Sequence, residues 1–96
     1  MTKIIVQKFG GTSVGSVERI DAVADIIADA SKTAKIVVVV SAMAGETNKL
    51  VNLAKNFSEN PDKREFDALV STGETVSSAL LSLALHSKAV SYTHLR

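Results

Sequence analysis

Apolar residues fall along this chain in two kinds of run, short continuous ones and periodic ones, and the change from one to the other marks out its elements. Ile4-Ile5-Val6 is short and continuous and reads as a buried strand. After a glycine-containing turn, Val17, Ile20, Val23, Ala24 and Ile27 fall at i, i+3, i+6, i+7 and i+10, which predicts a helix over Val17–Ala30 with one apolar stripe. Glu18, Arg19, Asp21, Asp25 and Asp29 lie off that stripe and read as a solvated helix face, not a metal cluster. Ser16 suits the N-cap, with Glu18 near the positive end of the helix dipole. Ala34–Ser41 holds five consecutive β-branched residues, Ile36 to Val40, and predicts a strand buried on both faces, as in a parallel sheet covered by helices. Strand, helix and strand form a βαβ unit with a right-handed crossover, which puts both strand C-termini at one sheet edge. Ligands bind at such edges, so the glycine turn and the turn Ser41-Ala42-Met43-Ala44-Gly45 should share a cleft.

Periodic runs fill the rest. Leu50, Leu53, Ala54 and Phe57 predict the buried stripe of a second helix. Asn60-Pro61-Asp62 predicts a restart, with Asn60 as N-cap and Pro61 at the first helical position. Phe66, Leu69 and Val70 predict the buried face of a third helix, with Gly73 as its breaker. Val76, Ala79, Leu80, Leu83 and Ala84 predict a fourth. Lys88–Thr93 is a candidate third strand, although no glycine turn precedes it.

Composition narrows the function classes. With 96 residues the chain is at most one small domain, and 46% hydrophobic with 22% charged residues fits an ordinary globular protein. A net charge of +1 supplies no basic field, and one Tyr with three Phe offers few stacking platforms, so nucleic acid is not an expected partner. There is no cysteine for a disulfide or thiolate metal site, and His86 and His94 lack zinc-site spacing. The N-terminus has no signal-peptide h-region, and no apolar run approaches the ~20 residues that span a bilayer, which makes the cytoplasm the expected location and a membrane an unexpected partner.

The chemistry concentrates in Lys8-Phe9-Gly10-Gly11-Thr12-Ser13-Val14-Gly15, between a strand and a helix. Gly10 and Gly11 let a backbone approach a phosphate, the helix amides point toward it, Thr12 and Ser13 add hydroxyls, and Lys8 adds a charge. Neither common phosphate motif fits. Ser16 and Val17 stand where a Walker A loop needs Lys and Ser/Thr, and the Gly10-Gly11 pair is not Gly-x-Gly-x-x-Gly. By spacing alone, a plain glycine-rich turn accounts for the stretch as well as a phosphate site does. Taken singly, Ser41 and Thr47 read as helix caps, Glu74 as a solvated helix acid, and Lys8 as a surface lysine.

Three blocks taken together resemble the aspartate kinases of the amino-acid kinase superfamily. Lys8-Phe9-Gly10-Gly11-Thr12-Ser13-Val14 resembles the signature that opens them, Val39–Leu50 the second block, and Ser71-Thr72-Gly73-Glu74 the third. The resemblance implies an α/β fold, a three-layer α/β/α arrangement around a mainly parallel sheet, incomplete here with two or three strands. It implies ATP-dependent phosphorylation of the side-chain carboxylate of L-aspartate, the first step of lysine, threonine and methionine biosynthesis, by a homo-oligomeric parent enzyme. Lys8 would be the catalytic cation, Gly10, Gly11, Thr12 and Ser13 would cradle ATP phosphates with Ser41, and Thr47 and Glu74 would orient aspartate. Mg2+ is expected with the nucleotide, without recognisable acidic ligands in this chain. The match is clear over residues 3–85. Beyond it, Ser87 runs into Lys88 without a glycine turn, and His94 stands where the family has glycine. Family members continue for several hundred residues, so residues 1–96 are expected to be the N-terminal part of the catalytic domain. The alternatives are a glutamate or nucleotide kinase of the same superfamily, against which the Gly73-Glu74 block argues, and a truncated fragment without catalytic role.

Overall fold

The computed structural model describes residues 3–88 and residue 90. Strands β1 (Ile4–Phe9) and β2 (Lys35–Val40) pair in parallel, in a register running from Ile4 opposite Lys35 to Phe9 opposite Val40. Helix α1 (Val17–Ala30) connects them and occupies the residues its apolar stripe predicts. Its first turn is held by Ser16, whose Oγ accepts the Arg19 amide at 3.2 Å. Ile20, Val23, Ala24 and Ile27 are its buried residues, and the acidic positions stay exposed.

Both strands alternate half-buried and exposed residues, although neither sequence alternates in polarity. Phe9, Val38 and Val40 face the helices and pack against the core of Val14, Ile20, Val23, Ala24, Ile27, Leu81 and Leu85. The opposite face leaves Ile4 at 65% and Val6 at 66% exposure, with Val37 and Val39 also open. The expected burial of β2 on both faces is therefore corrected to one, because no described element lies over the other. What is present of the α/β architecture is a two-stranded parallel sheet with one layer of helices.

Two further helices follow, α2 (Glu46–Lys55) and α3 (Lys63–Ser87). The start of α3 is capped by Asp62, not Asn60, with Asp62 Oδ2 accepting the Glu65 amide at 3.1 Å. Asn60 is drawn away by its own amide, which donates to Ser58 Oγ at 3.1 Å. The expected third and fourth helices are a single element of 25 residues that runs straight through Gly73. An isolated glycine costs a helix only ~1 kcal/mol, which packing along its length readily outweighs. Gly73 has a packing role instead: a Cβ there would lie 2.9 Å from the Ala42 Cβ.

With α3 unbroken, its buried stripe is Gly73, Ser77, Leu81 and Leu85, at a spacing of four, while Val76 and Leu83 face outward. Leu80 and Ala84 flank that stripe against the core. The expected stripe of α2 is also corrected. No α2 residue is fully buried, Leu53 is half exposed, and Phe57, past the helix end, is 94% exposed. By length and composition α3 could cross a membrane, with a mean hydropathy of 1.4 over 18 residues, which the sequence reading did not anticipate. Here its Gly73–Leu85 stripe lies against Ala42 and the core, as a central helix of an α/β layer does.

The candidate strand Lys88–Thr93 lies outside the described residues except for Lys88 and Val90. Lys88 caps α3, and the amides of Lys88 and Val90 both donate to the Leu85 carbonyl at 3.0 Å. The Lys88 Nζ lies 3.0 Å from Oδ1 of both Asp21 and Asp25, tying the end of α3 to α1. Side-chain hydrogen bonds to Asp21 and then Asp25 hold this ammonium above the ordinary lysine value.

Two outcomes are expected. Gly73→Ala should destabilise the protein by about 1–3 kcal/mol through overpacking, read as a lower urea midpoint, and Ala42→Gly in the same chain should restore much of the loss. A raised lysine pKa contributes stability in full below the unfolded value and loses it as pH rises through the folded one. Melting temperature should therefore fall more steeply above the ordinary lysine value of 10.5 in the parent than in Lys88→Met. Parallel pH profiles would remove the Lys88 clamp from the account.

Candidate active site

The two strands end side by side, and the segments leaving them dock through their backbones. The Ser41 amide donates to the Phe9 carbonyl at 3.1 Å, and the Ala44 amide donates to the Gly11 carbonyl at 3.1 Å. This approach needs Gly11 itself, since a Cβ there would sit 2.9 Å from the Ala42 carbonyl oxygen. Within the glycine loop the Ser13 amide donates to the Gly10 carbonyl at 3.1 Å, closing a turn. Val14, fully buried, anchors that turn in the core. Gly15 then leads to Ser16 and the start of α1.

That folding leaves donors unspent. Among the described residues, the amides of Gly11 and Thr12 have no acceptor, and neither do those of Val17 and Glu18 in the first turn of α1. Unpaired amides beside a helix N-terminus make an anion cradle. Gly10 lies open, with nothing within 4 Å of where its Cβ would be. Thr12 is exposed and Ser13 half-buried, so their hydroxyls edge the same loop. The donor set fits a phosphate chain.

The remaining predicted residues approach from separate elements. Ser41, half-buried, directly follows β2, and its amide bonds to Phe9 at the end of β1, the residue from which the glycine loop departs. Gly45 turns the chain with φ +85°, a left-handed conformation suited to glycine, and starts α2, which carries Thr47 exposed in its first turn. Glu74 is exposed on α3, one residue past Gly73, whose added Cβ would lie 2.9 Å from Ala42 Cβ, 3.5 Å from Leu50 Cδ1 and 3.9 Å from Glu46 Cβ. The fold thus brings Ser41, Thr47 and Glu74 to the end of the sheet where the glycine loop lies.

Lys8 is placed differently. It sits opposite Val39 on the open sheet face with Ile4 and Val6, so its side chain leaves β1 on the side away from α1 and α3. Neither Lys8 nor Glu74 forms an ion pair among the described residues. No group of three or more His, Asp or Glu side chains with metal-site geometry occurs among the described residues, so no Mg2+ ligand set can be assigned.

Sequence reasoning missed Ala42 and Gly73 as the contact that seats α3 on the site. Their small size was visible, but small residues are common, and nothing local marked these two as partners.

The chain matches the family model described as the amino acid kinase family over residues 3–96. It is 61% identical over 94 residues to an aspartokinase of Geobacillus stearothermophilus, covering 94% of this chain and 23% of that protein. Against aspartokinase 2 of Bacillus subtilis it is 57% identical with the same coverage, so the chain spans about a quarter of the length of these curated relatives. Among solved structures, an aspartate kinase from Synechocystis superposes with a TM-score of 0.87 at 59% identity, over 88% of this chain and 15% of that one. Aspartokinase III of E. coli, solved with lysine and aspartate, superposes with a TM-score of 0.78 over 93% of this chain and 30% of its own, and at 24% identity speaks for the fold alone. On the family match and the shared α/β architecture, the chain belongs to the amino acid kinase family.

Proposed function

We propose that this chain forms the phosphate-cradling and aspartate-orienting part of an aspartate kinase, which uses ATP to phosphorylate the side-chain carboxylate of L-aspartate to 4-phospho-L-aspartate. The observation that carries this reading is the backbone docking of the glycine loop onto the Ser41–Gly45 turn, which puts unspent amides beside the starts of α1 and α2. The names of relatives more than half identical to the chain support the choice of aspartate.

The chemistry makes modest demands of these residues. A carboxylate is already an anionic nucleophile, so no general base is required. One carboxylate oxygen attacks the terminal phosphorus, the bond to the bridging oxygen breaks, and ADP leaves with that electron pair. The difficulty is repulsion between two anions that must meet in line. The Gly11 and Thr12 amides, with the Thr12 and Ser13 hydroxyls, would neutralise and fix the phosphates, and Ser41 would line the same path. Lys8, entering from the other sheet face, would place its charge at the transferring group. Thr47 would hold the substrate α-carboxylate and Glu74 its ammonium. Mg2+, carried with the nucleotide, would supply further positive charge. The cytoplasm, where ATP is supplied, is the proposed location.

In the full-length protein, Lys8→Ala should lower kcat by about 10²–10³-fold, the scale for losing one electrostatic stabiliser. Glu74→Gln should act mainly on the KM for aspartate and leave that for ATP nearly unchanged. Trapping the acyl phosphate as a hydroxamate reads both, and glutamate or nucleotide acceptors outcompeting aspartate would overturn the substrate. The 96-residue chain alone should yield no hydroxamate; product that is lost on Lys8→Ala would contradict this.

A further inference from the structure

Gly11, Ala42 and Gly73 meet at one junction, and each side of it leads to a different end of the proposed substrate path. The Gly11 amide, without an acceptor among the described residues, belongs to the phosphate cradle. Gly73 directly precedes Glu74. Buried Ala42 separates the two: a Cβ on Gly11 would be 2.9 Å from its carbonyl oxygen, and a Cβ on Gly73 would be 2.9 Å from its own Cβ. The same junction seats α2. A Cβ on Gly73 would lie 3.9 Å from the Glu46 Cβ, and Glu46 directly precedes Thr47. Thr47 and Glu74 are thus the sequence neighbours of two residues that face each other here, and their distance from the glycine loop runs through the Ala42 methyl.

Ala42 is bracketed by two backbone hydrogen bonds at 3.1 Å, from the Ser41 amide to the Phe9 carbonyl and from the Ala44 amide to the Gly11 carbonyl. Loop and turn are therefore one hydrogen-bonded piece, which α3 meets at Gly73 by van der Waals contact. A Cβ at 2.9 Å falls 0.5 Å short of the 3.4 Å at which ordinary contact begins. Overpacking of this kind is relieved by backbone shifts, and α3 is the side not tied by those bonds. Aspartate and glutamate differ by one methylene, about 1.5 Å of bond, between the amino-acid end and the carboxylate that attacks phosphorus. When polar groups hold both ends, the spacing between them selects the chain length.

We propose that Ala42 and Gly73 are positioning residues for acceptor length: their close contact fixes the span from the glycine loop to Thr47 and Glu74, and so favours aspartate over the longer glutamate. This rests on the aspartate reading of Thr47 and Glu74 and adds to it the means by which the acceptor is measured. Neither Ala42 nor Gly73 is assigned to a reacting atom.

Hydroxamate formation from aspartate and from glutamate, on one preparation of full-length protein, gives a ratio of kcat/KM values that does not depend on how much of the enzyme is folded. A purely structural role for the contact would leave that ratio unmoved. Gly73→Ala should lower the aspartate-to-glutamate ratio about 10-fold, through the KM for aspartate, while the KM for ATP stays within about twofold. Combining it with Ala42→Gly moves the methyl to the other side of the contact and should return the ratio to within about threefold of the parent. Ala42→Ser, which adds one heavy atom to the same contact, should shift the ratio in the same direction and carries the test if Gly73→Ala does not fold. With aspartate turned over by the parent, an unchanged ratio would overturn the spacer and leave the aspartate reading standing. A fall that the double variant does not reverse would overturn it too, as would glutamate turnover below detection in every variant. If the parent prefers glutamate, the aspartate reading fails, and the spacer is judged on glutamate against 2-aminoadipate, one methylene longer: the same fall upholds it and an unchanged ratio overturns it. A parent that phosphorylates none of the three overturns both.

Discussion

Ala42 is held between two glycines from different parts of the chain, and the geometry of the site follows from that contact. On one side Gly11 brings its backbone so near that an added Cβ would be 2.9 Å from the Ala42 carbonyl oxygen. On the other, a Cβ on Gly73 would be 2.9 Å from the Ala42 Cβ. The glycine loop, the end of β2 and the middle of α3 are spaced by atoms that are not there. A larger side chain at any of the three positions would separate the amide cradle from the helix that carries Glu74. Close packing gives such a junction little room to adjust.

That junction also explains the distribution of polar groups. Backbone amides in a folded loop normally find acceptors, yet here the loop is tied down through the Gly10 and Gly11 carbonyls, and the Gly11 and Thr12 amides have no acceptor among the described residues. The proposed phosphate cradle is made of main chain, with side chains at its margins. Burial of Val14 fixes the loop without using any of those donors.

Packing is divided along the same line. The half of α3 beyond Gly73 shares a core with α1 and is tied to it through Lys88, Asp21 and Asp25. The half before it is joined to α2, which has no fully buried residue. Thr47 and Glu74, proposed to orient substrate, are both exposed and lie beyond that shared core.

The local elements were largely legible in the sequence. α1 has the bounds and the Ser16 cap that its stripe predicts, because an amphipathic period and a capping hydroxyl act within a few residues of one another. The parallel βαβ unit and the shared edge of the two turns follow from an apolar run, a helix and a second apolar run in that order. Elsewhere the local signal misled. Gly73 resembled a helix breaker, but its propensity cost is small beside the packing it permits against Ala42, 31 residues away in the chain. The β-branched run of β2 suggested two covered faces, while coverage depends on which other segments are present to lie on it. Propensity, capping and period were settled by neighbours in sequence; the unbroken α3, the open sheet face and the seating of Glu74 were decided by contacts between distant residues, whose pairing no local pattern encodes.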